Sequence, residues 1–157
     1  LNGFNITVVE NISSLINEAI TSLKYTSNNL SPHILESFGL TSAVNSFIEN
    51  INRIGKINIS FSSNIDECRF NSQIETNIYR IICELFQNTI KHALASNVSL
   101  LIHHHEGNMV LQYFDDGVGF NPDESGNLNG MGISNMNSRI KALDGEIGFK
   151  RIMPKGI

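Results

Sequence analysis

The sequence predicts an α/β fold: a two-layer α/β sandwich with a mixed sheet covered on one face by helices, preceded by one long amphipathic helix. Three observations predict it. Apolar residues recur at helical spacing in some segments and alternate at strand spacing in others, and the two kinds follow one another without the regular rhythm of a doubly wound sheet. Residues 98–114 read as a hairpin, so at least one strand pair is antiparallel. The chain has 157 residues, 41% of them hydrophobic, enough for one globular core plus one appended element.

From Ile6 to Thr26 the apolar positions Val9, Ile12, Ile16, Ala19 and Leu23 step by three and four, with Val8, Leu15 and Ile20 widening the stripe. The following Asn28-Asn-Leu-Ser-Pro32-His33 reads as a turn or linker that stops this helix. With no sequence-adjacent helix to cover it, the stripe points to packing against another chain or an absent helix; docking back on the same domain stays open. A second helix starts near Leu40 after Gly39, runs through Ala43, Val44, Phe47, Ile48 and Ile51, and ends before Gly55. Lys56 to Phe61 alternates as a strand. A third helix begins at Asn71-Ser72, where Ser72 and Glu75 have capping-box spacing, and continues to Ala93. Val98–His105 and Met109–Phe114 form the hairpin through Glu106-Gly107-Asn108. Ile133–Leu143 is the last helix, closed by Asp144-Gly145, and a strand follows from Glu146 to about Met153.

The third helix carries an unusual polar stripe. At about 100° per residue, Arg80, Glu84, Gln87, Asn88 and Lys91 share roughly a 100° wedge with His92 at its margin, and the rest of the circumference is mostly apolar. A solvated helix gives water about half its surface, so a wedge this narrow reads as a site. Downstream lie Asp115-Asp-Gly117-Val-Gly119-Phe120 at a strand end and Gly130-Met131-Gly132-Ile133 at a helix start. Glycine allows close backbone approach, and a helix amino terminus offers free N–H groups to phosphate. Taken singly, the first cluster could be an ordinary turn. Together with the stripe, the segments supply a metal ligand, a cation, a hydrogen-bond acceptor and a phosphate cradle.

Bulk properties exclude other classes. A net charge of -4 argues against a nucleic-acid partner. No run is long and apolar enough for a membrane span and no secretory signal is visible, so a cytoplasmic fragment is expected. Cys68 and Cys83 lack the spacing of a thiolate zinc site or a disulfide framework. In His103-His104-His105, strand alternation sends His104 to one face and its neighbours to the other, so the three cannot converge on one ion. His33 reads as a plain loop residue.

With these segments in view, the chain resembles the ATP-binding domain of sensor histidine kinases, within the ATPase group that includes Hsp90, gyrase B and MutL. Glu84-x-x-x-Asn88-x-x-Lys91-His92-Ala93 resembles that group's asparagine-bearing helix, Asp115-x-Gly117-x-Gly119 its adenine-binding motif, and Gly130-x-Gly132 its phosphate-side motif. Asn29 to Val44, the short interval from Phe120 to Gly130, and Met136 to Gly145 are similar to the subfamily of the nitrate sensors and DesK. The resemblance implies a Bergerat-type fold divided into residues 1–30, the second helix of a dimerisation and phosphotransfer module; 31–39, a linker; and 40–157, a catalytic domain truncated at its C-terminal side.

It also implies roles. Asn88 would coordinate a Mg²⁺ bridging the phosphates of ATP, and Glu84 would hold a metal-bound water; Glu84 corresponds to the general base of the hydrolysing members, which a kinase must restrain. Lys91 and His92 would meet phosphate oxygens, with helix capping open as a second role for His92. Asp115 would accept the adenine amino group. Gly117, Gly119, Gly130, Met131 and Gly132 would line the nucleotide beneath a lid between Phe120 and Gly130. The phosphoryl acceptor would be a histidine outside this chain, the partners a second copy through the N-terminal helix and a response regulator. Whether the intact protein is anchored in the inner membrane stays open. A stand-alone ATPase and a non-catalytic dimerising module are the alternatives.

Overall fold

The computed structural model describes residues 32–53, 55, 57–119 and 131–150. The long helix expected over Ile6–Thr26 and the lid expected between Phe120 and Gly130 lie outside the described residues.

Helix α1, Pro32–Asn52, starts inside the segment expected to be a linker. Proline suits a helix start because its fixed φ is helical and its missing N–H would have no partner there. The helical path breaks at Gly39 (φ 80°, ψ 179°) and resumes at Leu40. Glycine enters that left-handed backbone without strain, and a Cβ there would also lie 3.1 Å from Cδ of Arg69, tighter than ordinary contact. After the kink, Leu40, Ala43, Val44, Phe47, Ile48 and Ile51 are all buried, the face that their spacing predicts.

Strand β1, Asn58–Ser63, is followed by helix α2, Ser72–Asn88, a π-helical turn Thr89–Ala93, and the strands β2, Asn97–His105, and β3, Asn108–Asp115. The sheet order is β1-β2-β3. β1 and β2 run parallel, from Asn58 opposite Asn97 to Ser63 opposite Ile102. β2 and β3 run antiparallel, from Val98 opposite Asp115 to His105 opposite Asn108. The mixed sheet is therefore present as expected. The hairpin closes through Glu106 and Gly107, both at positive φ (49° and 82°), the signature of the tight turn whose twist matches the strands it joins.

Among the described residues, helices cover one face of the sheet. Val98, Leu100 and Ile102 of β2 are buried, while the alternate positions Ser99, Leu101 and His103 are exposed. Helix α2 packs on the covered face: Phe86, fully buried, meets Tyr113 of β3 edge-on with ring centroids 5.2 Å apart. Phe86 also contacts Phe47 of α1, at 5.7 Å, so one aromatic side chain joins both helices to the sheet. Burying a phenylalanine of this kind contributes roughly 2–3 kcal/mol from removed apolar area alone.

The start of α2 differs from the capping-box expectation. Asn71 is the cap, its Oδ1 accepting from the Gln73 N–H at 2.8 Å. Glu75 instead turns inward, accepting from Phe70 N at 3.0 Å and from Arg69 Nε at 3.0 Å. The ion pair and the backbone donor are what permit a carboxylate to be buried there.

Helix α3, Met131–Lys141, buries Met136 and reaches α2 through Arg139, whose Nη1 donates to Asn77 Oδ1 at 3.3 Å. It closes through Asp144 at φ 54° and the Gly145 N–H, which donates to Ile140 O at 3.1 Å. The strand expected from Glu146 is not formed over residues 146–150. A strand needs a ladder partner, and no described strand pairs with this segment; residues 151–153 lie outside the described set. No described helix is long and apolar enough to cross a membrane.

Candidate functional site

The polar stripe of α2 leads directly into the π-helical turn. An i→i+5 turn holds one residue more than an α-helical turn, and such turns recur where a helix must re-aim its side chains. Glu84 and Asn88, one turn apart on α2, are each half-buried. Among the described residues no hydrogen bond or ion pair engages either side chain. Lys91 and His92 lie within the π-turn and are exposed. The His92 side chain makes no hydrogen bond among the described residues. The turn ends at Leu94, left-handed at φ 52° and exposed.

Thr89, the first residue of the π-turn, is buried and faces the end of β3. Its Oγ1 donates to Asp115 Oδ2 at 3.0 Å, and it accepts from the Tyr113 hydroxyl at 2.8 Å. The second Asp115 oxygen, Oδ1, accepts from the Gly117 N–H at 2.9 Å. Asp115 is 4% exposed. A buried carboxylate whose two oxygens are each held by a donor has a fixed direction, which an exposed aspartate lacks.

Gly117 owes its identity to space. A Cβ there would strike the carbonyl oxygen of Ala93 and lie 2.6 Å from Ala93 Cβ and 2.8 Å from Asp115 Oδ1. The Val118 N–H donates to that same Ala93 oxygen at 2.8 Å. The π-turn and the Asp115–Gly119 segment thus form one unit held by backbone contact. Gly119 adopts φ 66°, left-handed backbone that glycine enters without strain.

Asp116 points the other way and is a clamp for the turn. Its Oδ1 accepts from the backbone N–H of Ser96 and of Asn97, both at 2.8 Å, and its Oδ2 from Asn97 Nδ2 at 2.7 Å. The Asn97 backbone donor, followed by the Asn97 side chain, holds this carboxyl below its usual range.

The phosphate-side motif meets the stripe at one described point. A Cβ on Gly132 would fall on Glu84 Oε1, so glycine lets the start of α3 approach that carboxylate without displacing it. Met131 begins α3, and Gly130 lies outside the described residues. The structure thus brings together Glu84 with Gly132, and Asp115 with Gly117. It leaves Lys91 and His92 in solvent.

Thr89 and Tyr113 were not expected. For Tyr113 a signal existed, since strand alternation puts residues 113 and 115 on one face. For Thr89 none did: at α-helical spacing it lies about 100° from Asn88, outside most of the stripe, and no sequence pattern marks the π-turn.

The histidine run divides as the alternation predicts. His103 and His105 share the open face, with ring centroids 6.3 Å apart, and His104 packs edge-on against Phe70 at 5.3 Å. Among the described residues no group of three or more His, Cys, Asp or Glu is arranged to hold a metal. Cys68 and Cys83 are free thiols.

Residues 73–156 match the family described as histidine kinase-, DNA gyrase B-, and HSP90-like ATPase. Over 145 residues the chain is 26% identical to the oxygen sensor histidine kinase NreB of Staphylococcus carnosus (strain TM300), a match covering 92% of this chain and 42% of that protein. The chain thus spans less than half the length of that curated relative. Among solved structures, the histidine kinase domain of the Erythrobacter litoralis EL346 blue-light activated histidine kinase superposes with a TM-score of 0.66 at 15% identity, covering 84% of this chain and 71% of that one. The Acinetobacter baumannii histidine kinase AdeS gives 0.58 at 15% identity, covering 92% and 79%. At such identities the likeness concerns the fold.

Proposed function

This chain belongs to the histidine kinase-, DNA gyrase B-, and HSP90-like ATPase family, and on that premise we propose that it is the ATP-binding catalytic domain of a two-component sensor histidine kinase. The observation that carries the reading is Asp115, buried at a strand end with both oxygens held by Thr89 and the Gly117 N–H. Such an acceptor suits the exocyclic amino group of adenine. The kinase reading, over a stand-alone ATPase, draws on the similarity to a sensor histidine kinase across 92% of the chain.

Asn88 and Glu84 are the residues that would hold Mg²⁺. Their chemistry fits: an amide oxygen and a carboxylate are hard oxygen donors, one helical turn apart, and neither is engaged by another described residue. Glu84 also lies where Gly132 admits the start of α3. When bound, the ion would neutralise charge between the outer phosphates of ATP. Lys91 and His92, exposed on the π-turn, would reach phosphate oxygens from the solvent side. Gly119, Gly130, Met131 and Gly132 would complete the nucleotide lining. The γ-phosphoryl group would pass to a histidine outside this chain and then to a response regulator, with the kinase pairing as a homodimer through its N-terminal helix.

The test is ATP titration by calorimetry with and without Mg²⁺. Magnesium-dependent binding that Asn88→Ala abolishes is expected; tight magnesium-dependent binding by a folded Asn88→Ala protein would refute the metal assignment.

A further inference from the structure

Asp115 does not act alone, and the hydrogen positions around it are constrained by counting. The Tyr113 hydroxyl donates to Thr89 Oγ1 at 2.8 Å. A threonine hydroxyl carries one hydrogen, and that hydrogen goes to Asp115 Oδ2, 3.0 Å away. The Gly117 N–H supplies Oδ1 at 2.9 Å. The donors reaching this carboxylate from the described protein are the Thr89 hydroxyl and the Gly117 N–H, and toward any further group an ionised carboxylate offers its remaining lone pairs as acceptors only.

We propose that Tyr113 and Thr89 are positioning residues, a relay that locks Asp115 as an acceptor and thereby selects a purine bearing an amino group, rather than a carbonyl, at its six position. The proposal rests on the nucleotide reading above and deepens it. Three features make the relay rigid. Thr89 is 2% exposed and sits at the junction of α2 with the π-turn. Phe86, fully buried, holds the Tyr113 ring in perpendicular contact at 5.2 Å. The Val118 N–H ties the far side of the turn to Ala93. Against a carboxylate only 4% exposed, a ligand carbonyl would leave two acceptors unpaired, and unmet buried polar groups cost more than a made hydrogen bond contributes. An amino group satisfies the same geometry.

The experiment measures binding of ATP, GTP and purine riboside triphosphate, which has only hydrogen at the six position, to the unaltered chain and to Thr89→Val, Thr89→Ser and Tyr113→Phe. Valine keeps the volume of threonine and removes the hydroxyl; serine restores it. The unaltered protein should prefer ATP over purine riboside triphosphate by on the order of tenfold, the worth of one well-placed hydrogen bond. Thr89→Val should collapse that preference to about twofold by weakening ATP alone. Thr89→Ser should restore it, and Tyr113→Phe should fall between. An unchanged preference in Thr89→Val, or equal loss for both nucleotides, overturns the relay while leaving the nucleotide reading intact. Should Thr89→Val not fold, an unchanged preference in Tyr113→Phe overturns it equally. Failure of the unaltered chain to bind ATP overturns the nucleotide reading, and the relay with it.

Discussion

Gly117→Ala should both destabilise the domain and empty its nucleotide site. The added methyl would lie 2.6 Å from Ala93 Cβ and 2.8 Å from Asp115 Oδ1, and would strike the Ala93 carbonyl oxygen. Carbon atoms in contact settle about 3.5–4.0 Å apart, so the two segments must separate by about 1 Å. Ala93 offers no flexible end that could give way, because the obstruction is its backbone and its own Cβ. A separation of that size breaks the bond from Val118 N to Ala93 O and the bond from Gly117 N to Asp115 Oδ1. Two such hydrogen bonds at about 1 kcal/mol each, with about 1–2 kcal/mol of overpacking strain, give about 3–4 kcal/mol. For a chain of this size that corresponds to a melting temperature lower by about 10 °C. Urea denaturation with calorimetric ATP titration measures both effects. A variant as stable as the parent, binding ATP equally well, would refute the reasoning that this position is glycine for want of space.

Gly132→Ala is the contrasting case, since the obstruction there is the end of the flexible Glu84 side chain; we expect the melting temperature to hold within a few degrees while magnesium-dependent ATP binding weakens, and a large loss of stability would contradict this. Arg69→Met should cost more than Glu75→Gln, about 3 against about 1 kcal/mol by urea denaturation. The first strands a carboxylate that is 2% exposed, whereas the second leaves an arginine that is 53% exposed to water. The opposite order would sink the argument. Burial pushes the Cys83 thiol up to about 12, from an ordinary value of 9.0. A folded-state value above the unfolded one gives stability that is present below about pH 9 and lost as pH rises toward about 12. Burial raises Tyr79 in the same sense. Cys83→Ala should therefore flatten the alkaline fall in unfolding free energy, and an unaltered slope would refute the assignment.

The covered face of the sheet was legible because β2 alternates cleanly, and α2 because its polar wedge was too narrow for a solvated helix. The hairpin turn announced itself through Gly107. What failed did so for physical reasons. Residues 32–38 were read as linker, although proline is equally at home in a first helical turn; only its neighbours decide. Glu75 was assigned to a capping box by spacing, but Arg69 and the Phe70 N–H draw it inward, and a partner six residues away in sequence is invisible to a local pattern. The stretch after Gly145 alternates like a strand, yet alternation cannot supply the neighbouring ladder. In the candidate site, Glu84, Asn88, Asp115 and Gly117 were singled out from type and spacing. Thr89 was hidden by a change of helical period that no residue type encodes.

Helix α2 has a second identity that bears on how the site is assembled. It lies within the connection between the parallel strands β1 and β2, so the pairing of Asn58 with Asn97 joins residues 39 apart in sequence, while the β2–β3 hairpin closes through a two-residue turn. Loop closure charges entropy against the longer connection. The helix bearing Glu84 and Asn88 is therefore enclosed by the most sequence-distant pairing among the described strands. Any nucleotide held there would bind only the closed chain, raising the stability of the whole domain by RT ln(1 + [L]/Kd).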